Sequence, residues 1–334
     1  GPYGNIMYVD WRRWREEDST RGTELFVSWR NPSMMKRPFG ARQTWLWHHE
    51  LNYADEMNPK VVANLDMVMP VSNWHKEYLE MCYPFLKGKV GVLHNGINLE
   101  RFVNKRHCWC GAHWDTNAQI GCCGAYNPLC QTVIEPLSKV PFRCVYSSSP
   151  DRGLWELLTL WPQYVALEPS AELHIFYGWE TLDKAVAMGH QDLALLKVGI
   201  QERLKKLPSV HWRGRVNQKE LAKEFLQADM WAYPSHFLEV FCITAAECLA
   251  ANVIPVTSHL GSIPEVVGDA GFLIRGDSRG QTYHERYLEA LCQAGADLVT
   301  RLQLQAKMSE RAKLWTWDNA FQEWKAQLKV TVEV

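Results

Sequence analysis

The sequence has no long apolar run. Its longest apolar stretches, at 67–71 and 249–256, fall far short of the roughly 20 residues that a membrane-spanning helix needs. It also has no excess of charge of either sign, because Lys and Arg number 36, Asp and Glu number 37, and the net charge is −1. Since nucleic-acid-binding proteins carry a basic surface, we expect no nucleic-acid partner and no transmembrane segment, while peripheral contact with a membrane stays open.

An export signal is also absent from the start of the sequence. The chain begins Gly1-Pro2-Tyr3, with no initiator Met and no basic stretch leading into an apolar segment. A Gly-Pro start is a common scar of tag removal, with which a natural leader would have been lost. We expect a cytoplasmic protein.

What is present is the composition of a globular protein, with 47% hydrophobic and 22% charged residues. Short β-branched or aromatic runs alternate with longer amphipathic stretches, which is typical of the α/β class. The predicted strands are 6–9, 25–29, 44–47, 67–71, 90–93, 142–147, 173–177, 210–212, 230–233, 253–256 and 271–274. Helices are predicted at 154–168, 218–228 and 239–251.

The length of 334 residues suits two domains, at roughly 150 residues each. Residues 103–140 hold Pro128, Pro136 and five of the ten cysteines without a sustained period, which indicates an inter-domain insertion. We therefore expect domains at 1–140 and 141–318, and a helix and tail at 319–334 that pack back on the first domain. Large apolar side chains form one predicted face of this last helix: Trp317, Phe321, Trp324 and Leu328.

The segment from Tyr233 to Ile274 is the richest in chemistry. A predicted strand ends at Pro234 and a helix begins near Phe241, so the amides of Phe241, Cys242 and Ile243 would form a phosphate site at a helix start. Seven residues separate Glu239 from Glu247, and carboxylates at these positions suit hydroxyl groups on either side of a diphosphate. In the alternative interpretation, Glu239 only caps the helix and Glu247 lies on the surface.

Several motifs in this segment resemble the donor-binding half of the retaining glycosyltransferases of family 4, among the group 1 glycosyltransferases. They are Pro234-Ser235, Glu239 and Glu247, Pro255-Val256, and Pro264-Glu-Val-Val-Gly268. Upstream, 146–154 resembles the opening of the same domain, 174–179 and 211–216 its next two strands, and 71–75 and 94–98 motifs of the first domain.

The resemblance implies a GT-B-like fold, in which two Rossmann-like domains face each other across a cleft. The first domain of that fold opens with a strand and a Gly-rich turn, and no such turn precedes Ile6, so we expect that domain to be incomplete at its N-terminus. Two departures stand out: Val240 and Cys242 occupy positions where many members have Gly, and Arg152 stands where Lys is common.

The resemblance further implies transfer of a sugar, with retention, from a nucleotide-diphosphate sugar to a saccharide, lipid-linked or protein-linked acceptor. The implied catalytic residues are His49, with His48 as the competing choice, Arg152 and Glu239. The implied donor-binding residues are Arg152, Gly153, Arg215, Glu239, Val240, Phe241, Cys242, Ile243 and Glu247. Glu239 would hold the sugar and Glu247 the ribose, and no cofactor is expected beyond the donor.

A cysteine cluster lies within the predicted insertion. A structural zinc ion on Cys108, Cys110, Cys122 and Cys123 is one interpretation, although Cys-x-Cys is tighter than the usual zinc spacing. In the other two interpretations, these cysteines are free thiols or form disulfides. The insertion and the missing front strand also motivate a second function, a non-catalytic GT-B-like binding or assembly module. A third and weaker alternative is a sugar-phosphate epimerase or a phosphorylase of the same architecture.

Overall fold

The structure is a computed structural model that describes residues 22–103, 137–296 and 298–332. Contacts divide the chain into two compact units. Unit 1 comprises Gly1–Asn95, Leu238–Phe241 and Ala320–Val334, and unit 2 comprises Gly96–Phe237 and Cys242–Asn319. The predicted strand at 6–9 and nearly all of the predicted insertion lie outside the described residues.

Unit 1 contains a parallel sheet of three strands in the order β1-β2-β3: β1 Leu25–Trp29, β2 Gln43–His48 and β3 Met67–Pro70. Its helices are α1 Pro59–Val62 and α2 Asn73–Cys82, with 3-10 turns at Pro32–Lys36, Ala54–Glu56 and Pro84–Leu86. Helix α2 begins where it does because Ser72 has extended backbone and its hydroxyl accepts a hydrogen bond from the amide of His75.

The predicted strand at 90–93 is wrong. Val90 forms only an isolated bridge to Val68, although the amide of Val68 donates to the carbonyl of Lys89 and that of Gly91 donates back to Val68. The next donor of β3 in this parallel ladder would be Pro70, which has no N–H. The ladder is therefore interrupted at Pro70, although the amide of Leu93 still donates to the carbonyl of Pro70 at 2.9 Å.

Unit 2 contains a parallel sheet of six strands in the order β6-β5-β4-β7-β8-β9. The strands are β4 Arg143–Tyr146, β5 Glu172–Ile175, β6 Val210–Trp212, β7 Met230–Tyr233, β8 Ile254–Ser258 and β9 Phe272–Ile274. Helices connect them, as right-handed crossovers between parallel strands require. They are α3 Leu154–Leu167, α4 Glu180–Ala187, α5 Gln191–Leu204, α6 Gln218–Gln227, α7 Ile243–Ala250 and α8 Ile263–Val267, and after the sheet α9 Gln281–Ala296 and α10 Leu298–Ala312. Unit 2 also has 3-10 turns at Leu99–Phe102 and Lys313–Trp315. The α/β prediction is confirmed.

The last helix, α11 Trp317–Val332, buries only part of its predicted aromatic face. Trp324 and Leu328 pack against a cluster of Trp45, Met69 and Leu93 in unit 1. Phe321, by contrast, is 59% exposed. The second half of the predicted face therefore packs on unit 1, while Phe321 in the first half stays largely exposed. No helix in the described ranges has both the length and the apolar character needed to cross a bilayer.

Candidate functional site

The strand order of unit 2 reverses between β4 and β7. After β4 the chain builds outward through β5 and β6, and after β7 it builds the other way through β8 and β9. The carboxyl ends of strands at such a reversal form the crevice in which open α/β sheets bind ligands. The loops that leave β4 and β7, residues 147–153 and 234–242, are therefore where we look for the site.

The two loops meet at Gly153. Gly153 has a left-handed backbone, with φ of 112°, and is the N-cap of α3. A Cβ atom at this position would lie 2.4 Å from the carbonyl oxygen of Pro234, closer than a carbon can approach. Glycine at 153 thus permits the contact between the loops and sets Arg152 beside the loop after β7.

Arg152 contacts that loop directly. Its guanidinium carbon lies 3.7 Å from the ring centroid of Phe237, and its amide donates to the carbonyl of Ser149 at 3.0 Å. The predicted phosphate-binding pair, Arg152 and Gly153, therefore lies at the strand-order reversal.

Buried polar atoms without a hydrogen-bond partner in the described structure follow the carboxyl ends of four strands of unit 2. A buried polar group left unpaired costs about 1–3 kcal/mol, so these atoms mark places where a ligand would gain hydrogen bonds. They are Ser147 Oγ, Ser149 Oγ, Asp151 Oδ1, Glu156 Oε2, His236 Nδ1, Ser262 Oγ and Ser278 Oγ.

Glu156, in the first turn of α3, was missed by the sequence analysis. Its side chain is 8% exposed, and its Oε1 lies 3.5 Å from Nε of Arg279 and 3.7 Å from Nδ1 of His236. The available signal was a single carboxylate in the otherwise apolar run 154–158. The apolar run indicates that the carboxylate of Glu156 is buried, but it does not indicate which residues surround it.

Helix α7 begins at Ile243, later than the predicted bound of 239 and the predicted start near Phe241. Cys242 is the N-cap, with φ −82° and ψ 90°, and its side chain makes no capping hydrogen bond. Because this backbone is extended, the first helical amides are those of Ile243, Thr244 and Ala245, and Phe241 lies in the preceding loop. The amides that could bind phosphate at the helix start are therefore those of Ile243, Thr244 and Ala245, and not those of Phe241 and Cys242.

Glu247 lies in the second turn of α7 and is 8% exposed. Burial raises the pKa of this carboxyl to about 7, and the charge of Arg101 partly opposes the rise. The alternative in which Glu247 is a surface residue is therefore wrong, and Cys242, not Glu239, occupies the cap position.

Glu239 and Val240 belong to the segment Leu238–Phe241, which groups with unit 1. The hydroxyl of Ser72 donates to the carbonyl of Val240 at 2.6 Å. The ring of Phe241, which is 5% exposed, lies 6.2 Å from the ring of His94. The carbonyl of the residue that follows Glu239 is thus held by Ser72.

The two candidate histidines follow β2 in unit 1. His48 is fully buried, with its ring 4.3 Å from that of Tyr53. His49 is half-buried, and its ring stands edge-on to Trp47 at 4.5 Å. Burial first, and the nearby charge of Arg30 second, lower the pKa of His49 to about 4, which keeps the imidazole neutral at pH 7.

The remaining predicted residues are Arg215 and four cysteines. Arg215 lies exposed in the loop after β6. Cys108, Cys110, Cys122 and Cys123 lie outside the described residues.

One group of metal-ligand type occurs among the described residues, Glu172, His174 and His211 on β5 and β6. His174 Nε2 lies 3.1 Å from the Glu172 carboxylate, and Nε of Arg213 lies 3.4 Å from His174 Nδ1. Because Arg213 can only donate, Nε2 carries the ring proton and donates to Glu172. These hydrogen bonds link Glu172, His174 and Arg213 to one another.

Sequence comparison places this arrangement among known proteins. Residues 178–315 match the family model described as "Glycosyl transferases group 1". A D-inositol 3-phosphate glycosyltransferase of Streptomyces avermitilis is 25% identical over 264 residues, which are 78% of this chain and 51% of the relative. The chain thus spans about half the length of the curated relative that it matches.

Solved structures share the fold. A sucrose-phosphate synthase from Thermosynechococcus elongatus superimposes with a TM-score of 0.63 at 15% identity, over 93% of this chain and 74% of that one. The pneumococcal O-GlcNAc transferase GtfA, solved with UDP and GlcNAc, gives 0.57 at 12% identity, over 91% and 55%. An Anabaena protein solved with UDP and glucose gives 0.59 at 15% identity, over 92% and 78%. The expected GT-B-like fold is confirmed.

Proposed function

We propose, from the match of residues 178–315 to the group 1 glycosyltransferases, that this protein transfers a sugar from a nucleotide-diphosphate sugar to an acceptor hydroxyl. The observation that carries the proposal is the carboxyl edge of unit 2, where Arg152, Gly153 and unpartnered buried polar atoms follow the strands at the order reversal. The solved relatives that contain UDP have the same fold.

The donor diphosphate would bind to the positive groups of unit 2. Arg152 supplies a permanent charge with a planar set of donors suited to phosphate. The uncapped start of α7 supplies amides and the positive end of the helix dipole. A diphosphate leaving group gains charge as its bond to the sugar breaks, so fixed donors here stabilise the transition state more than the ground state.

The hydroxyl groups of the donor would bind to the two carboxylates. We infer that Glu247, buried in α7, accepts from the ribose and that Glu239 accepts from the transferred sugar. An ionised carboxylate accepts hydrogen bonds without donating, which suits vicinal hydroxyls, and Glu247 has this form above its raised pKa of about 7. His49 is preferred to His48 as the histidine that faces the sugar, because His48 is fully buried.

The transfer would retain the configuration of the anomeric carbon. The bond between that carbon and the diphosphate oxygen breaks, the acceptor oxygen bonds to the same carbon on the same face, and the acceptor proton passes to the departing phosphate oxygen. The acceptor class is a saccharide, lipid-linked or protein-linked hydroxyl.

Turnover of donor sugars tests the proposal. We would incubate the protein with UDP-, GDP- and ADP-glucose, measure release of the nucleoside diphosphate, and read the anomer of the released sugar by NMR. We expect wild type to release the nucleoside diphosphate from one donor, with the α-configuration of the sugar kept, and Arg152→Ala to lose this release. Arg203→Ala is the control and should keep full release. The guanidinium carbon of Arg203 lies 3.8 Å from the ring centroid of Trp155, and Arg203 is not a residue of the candidate site. Binding of a nucleoside diphosphate without turnover of any donor would favour the non-catalytic binding module instead.

A further inference from the structure

The guanidinium of Arg152 lies against an aromatic face. Its central carbon is 3.7 Å from the ring centroid of Phe237, a distance typical of close cation–π contact. Phe237 is 36% exposed, so the pair lies at the surface of unit 2, where a ligand reaches it. A guanidinium that stacks by its face on a ring directs its N–H groups outward in its own plane, the geometry in which arginine binds phosphate oxygens.

The ring that holds Arg152 is itself fixed by the loop after β7. The amide of Phe237 donates to Ser235 Oγ at 3.0 Å. The carbonyl of Ser235 accepts from Ser258 Oγ at 2.6 Å, and Ser258 Oγ is 2.7 Å from the hydroxyl of Tyr283. This chain of hydrogen bonds ties the loop to β8 and α9.

The backbone of Arg152 is held against the same loop. At the next residue, Gly153, the backbone approaches Pro234 so closely that a Cβ atom would lie 2.4 Å from its carbonyl oxygen. Arg152 therefore lies against this loop both through its side chain and through the main chain of the next residue. An arginine that is already ordered loses less conformational entropy when it binds a ligand.

We propose that Phe237 is a positioning residue, which holds the guanidinium of Arg152 in the orientation that binds the donor diphosphate. This inference rests on the proposed function. Phe237 also gives a reason for arginine at position 152, because the ammonium of a lysine has no plane to stack on the ring.

Calorimetry on four proteins tests the inference: wild type, Phe237→Leu, Phe237→Tyr and Trp155→Leu. Each is titrated with UDP, GDP and ADP and with the matching nucleosides. We expect Phe237→Leu to bind the preferred nucleoside diphosphate about tenfold more weakly than wild type, and to bind the nucleoside as wild type does. Phe237→Tyr should restore the affinity, and Trp155→Leu, which removes the matched aromatic partner of Arg203, should leave it unchanged.

A double-mutant cycle with Arg152→Ala shows whether the effect passes through Arg152. We expect Phe237→Leu to cost no further affinity once Arg152 is gone. A tenfold loss in both backgrounds, or an equal loss for the nucleoside, would overturn the positioning role. If wild type binds a nucleoside diphosphate and Phe237→Leu binds it equally well, this inference alone is wrong, and if wild type binds none, the proposed function is wrong and the inference falls with it.

Discussion

Burial of the single residue Glu247 makes the stability of the protein depend on pH. Burial raises its pKa to about 7 from 4.5. The folded protein therefore holds a proton that the unfolded chain releases between these values, and stability falls as the pH rises through that window. The group costs nothing below the unfolded pKa, and its full cost is present above the folded one.

The Glu247→Gln variant removes this cost. We expect it to be more stable than wild type at pH 8, by on the order of 2 to 3 kcal/mol, and the difference to vanish below about pH 4.5. Urea unfolding across this range measures the difference. A difference that is independent of pH would show that the carboxyl titrates in the folded protein as it does in water.

The two carboxylates should separate in function. We expect Glu247→Gln to weaken binding of a nucleoside diphosphate about 10- to 100-fold, the loss typical of a hydrogen bond to a charged group. Glu239→Gln should leave that binding unchanged and lower the rate of transfer, because an interaction made with the reacting sugar appears in the rate. Calorimetry measures the affinity for the nucleoside diphosphate, and initial rates measure the transfer. The reverse pattern would assign Glu239 to the ribose and Glu247 to the transferred sugar.

Sequence reasoning predicted some residues of the site and missed others for a physical reason. Arg152 and Gly153 lie in a motif with fixed spacing, so their place at the start of α3 could be predicted. The stacking of Phe237 on Arg152 and the burial of Glu156 arise from loops that are about 80 residues apart along the chain. No local pattern encodes such a contact.

At the scale of elements, most predicted strands and the helix starts at 154 and 218 agree with the structure, whereas the start of α7 does not. Buried parallel strands are short continuous apolar runs, which the sequence displays, whereas helix starts depend on the backbone of one cap residue. The start of α7 was misplaced because Phe241 and Cys242 are apolar, like the helix that follows, while the chain stays extended up to Cys242. The strand at 90–93 failed because the prediction ignored the missing N–H of Pro70, on the neighbouring strand.

Helix α11 provides a test of packing at this scale. We expect Trp324→Ala to destabilise the protein by about 2 kcal/mol, because a half-buried Trp contributes less than the 3–5 kcal/mol of a fully buried one. Phe321→Ala should change stability by less than about 0.5 kcal/mol, since Phe321 is 59% exposed. Thermal unfolding of both variants makes the comparison, and equal losses would contradict the packing described for the helix.

At the scale of the whole molecule, the cysteine cluster of the predicted insertion is a separate question. A structural zinc ion on Cys108, Cys110, Cys122 and Cys123 would give roughly one ion per chain in elemental analysis, and a chelator would then lower the melting temperature. Reactive thiols without metal would indicate free cysteines, and unreactive ones would indicate disulfides and an oxidising compartment.

The central claim is that unit 2 binds the diphosphate of a nucleotide sugar through Arg152. The most direct measurement is calorimetric titration of wild type and Arg152→Ala with UDP, GDP and ADP. We predict that wild type binds one of them and that Arg152→Ala binds it about 30-fold more weakly, the loss expected for a charge-assisted contact worth about 2 kcal/mol, with an unchanged melting temperature. Equal affinity of the two proteins, or binding of none of the three by wild type, would contradict the claim.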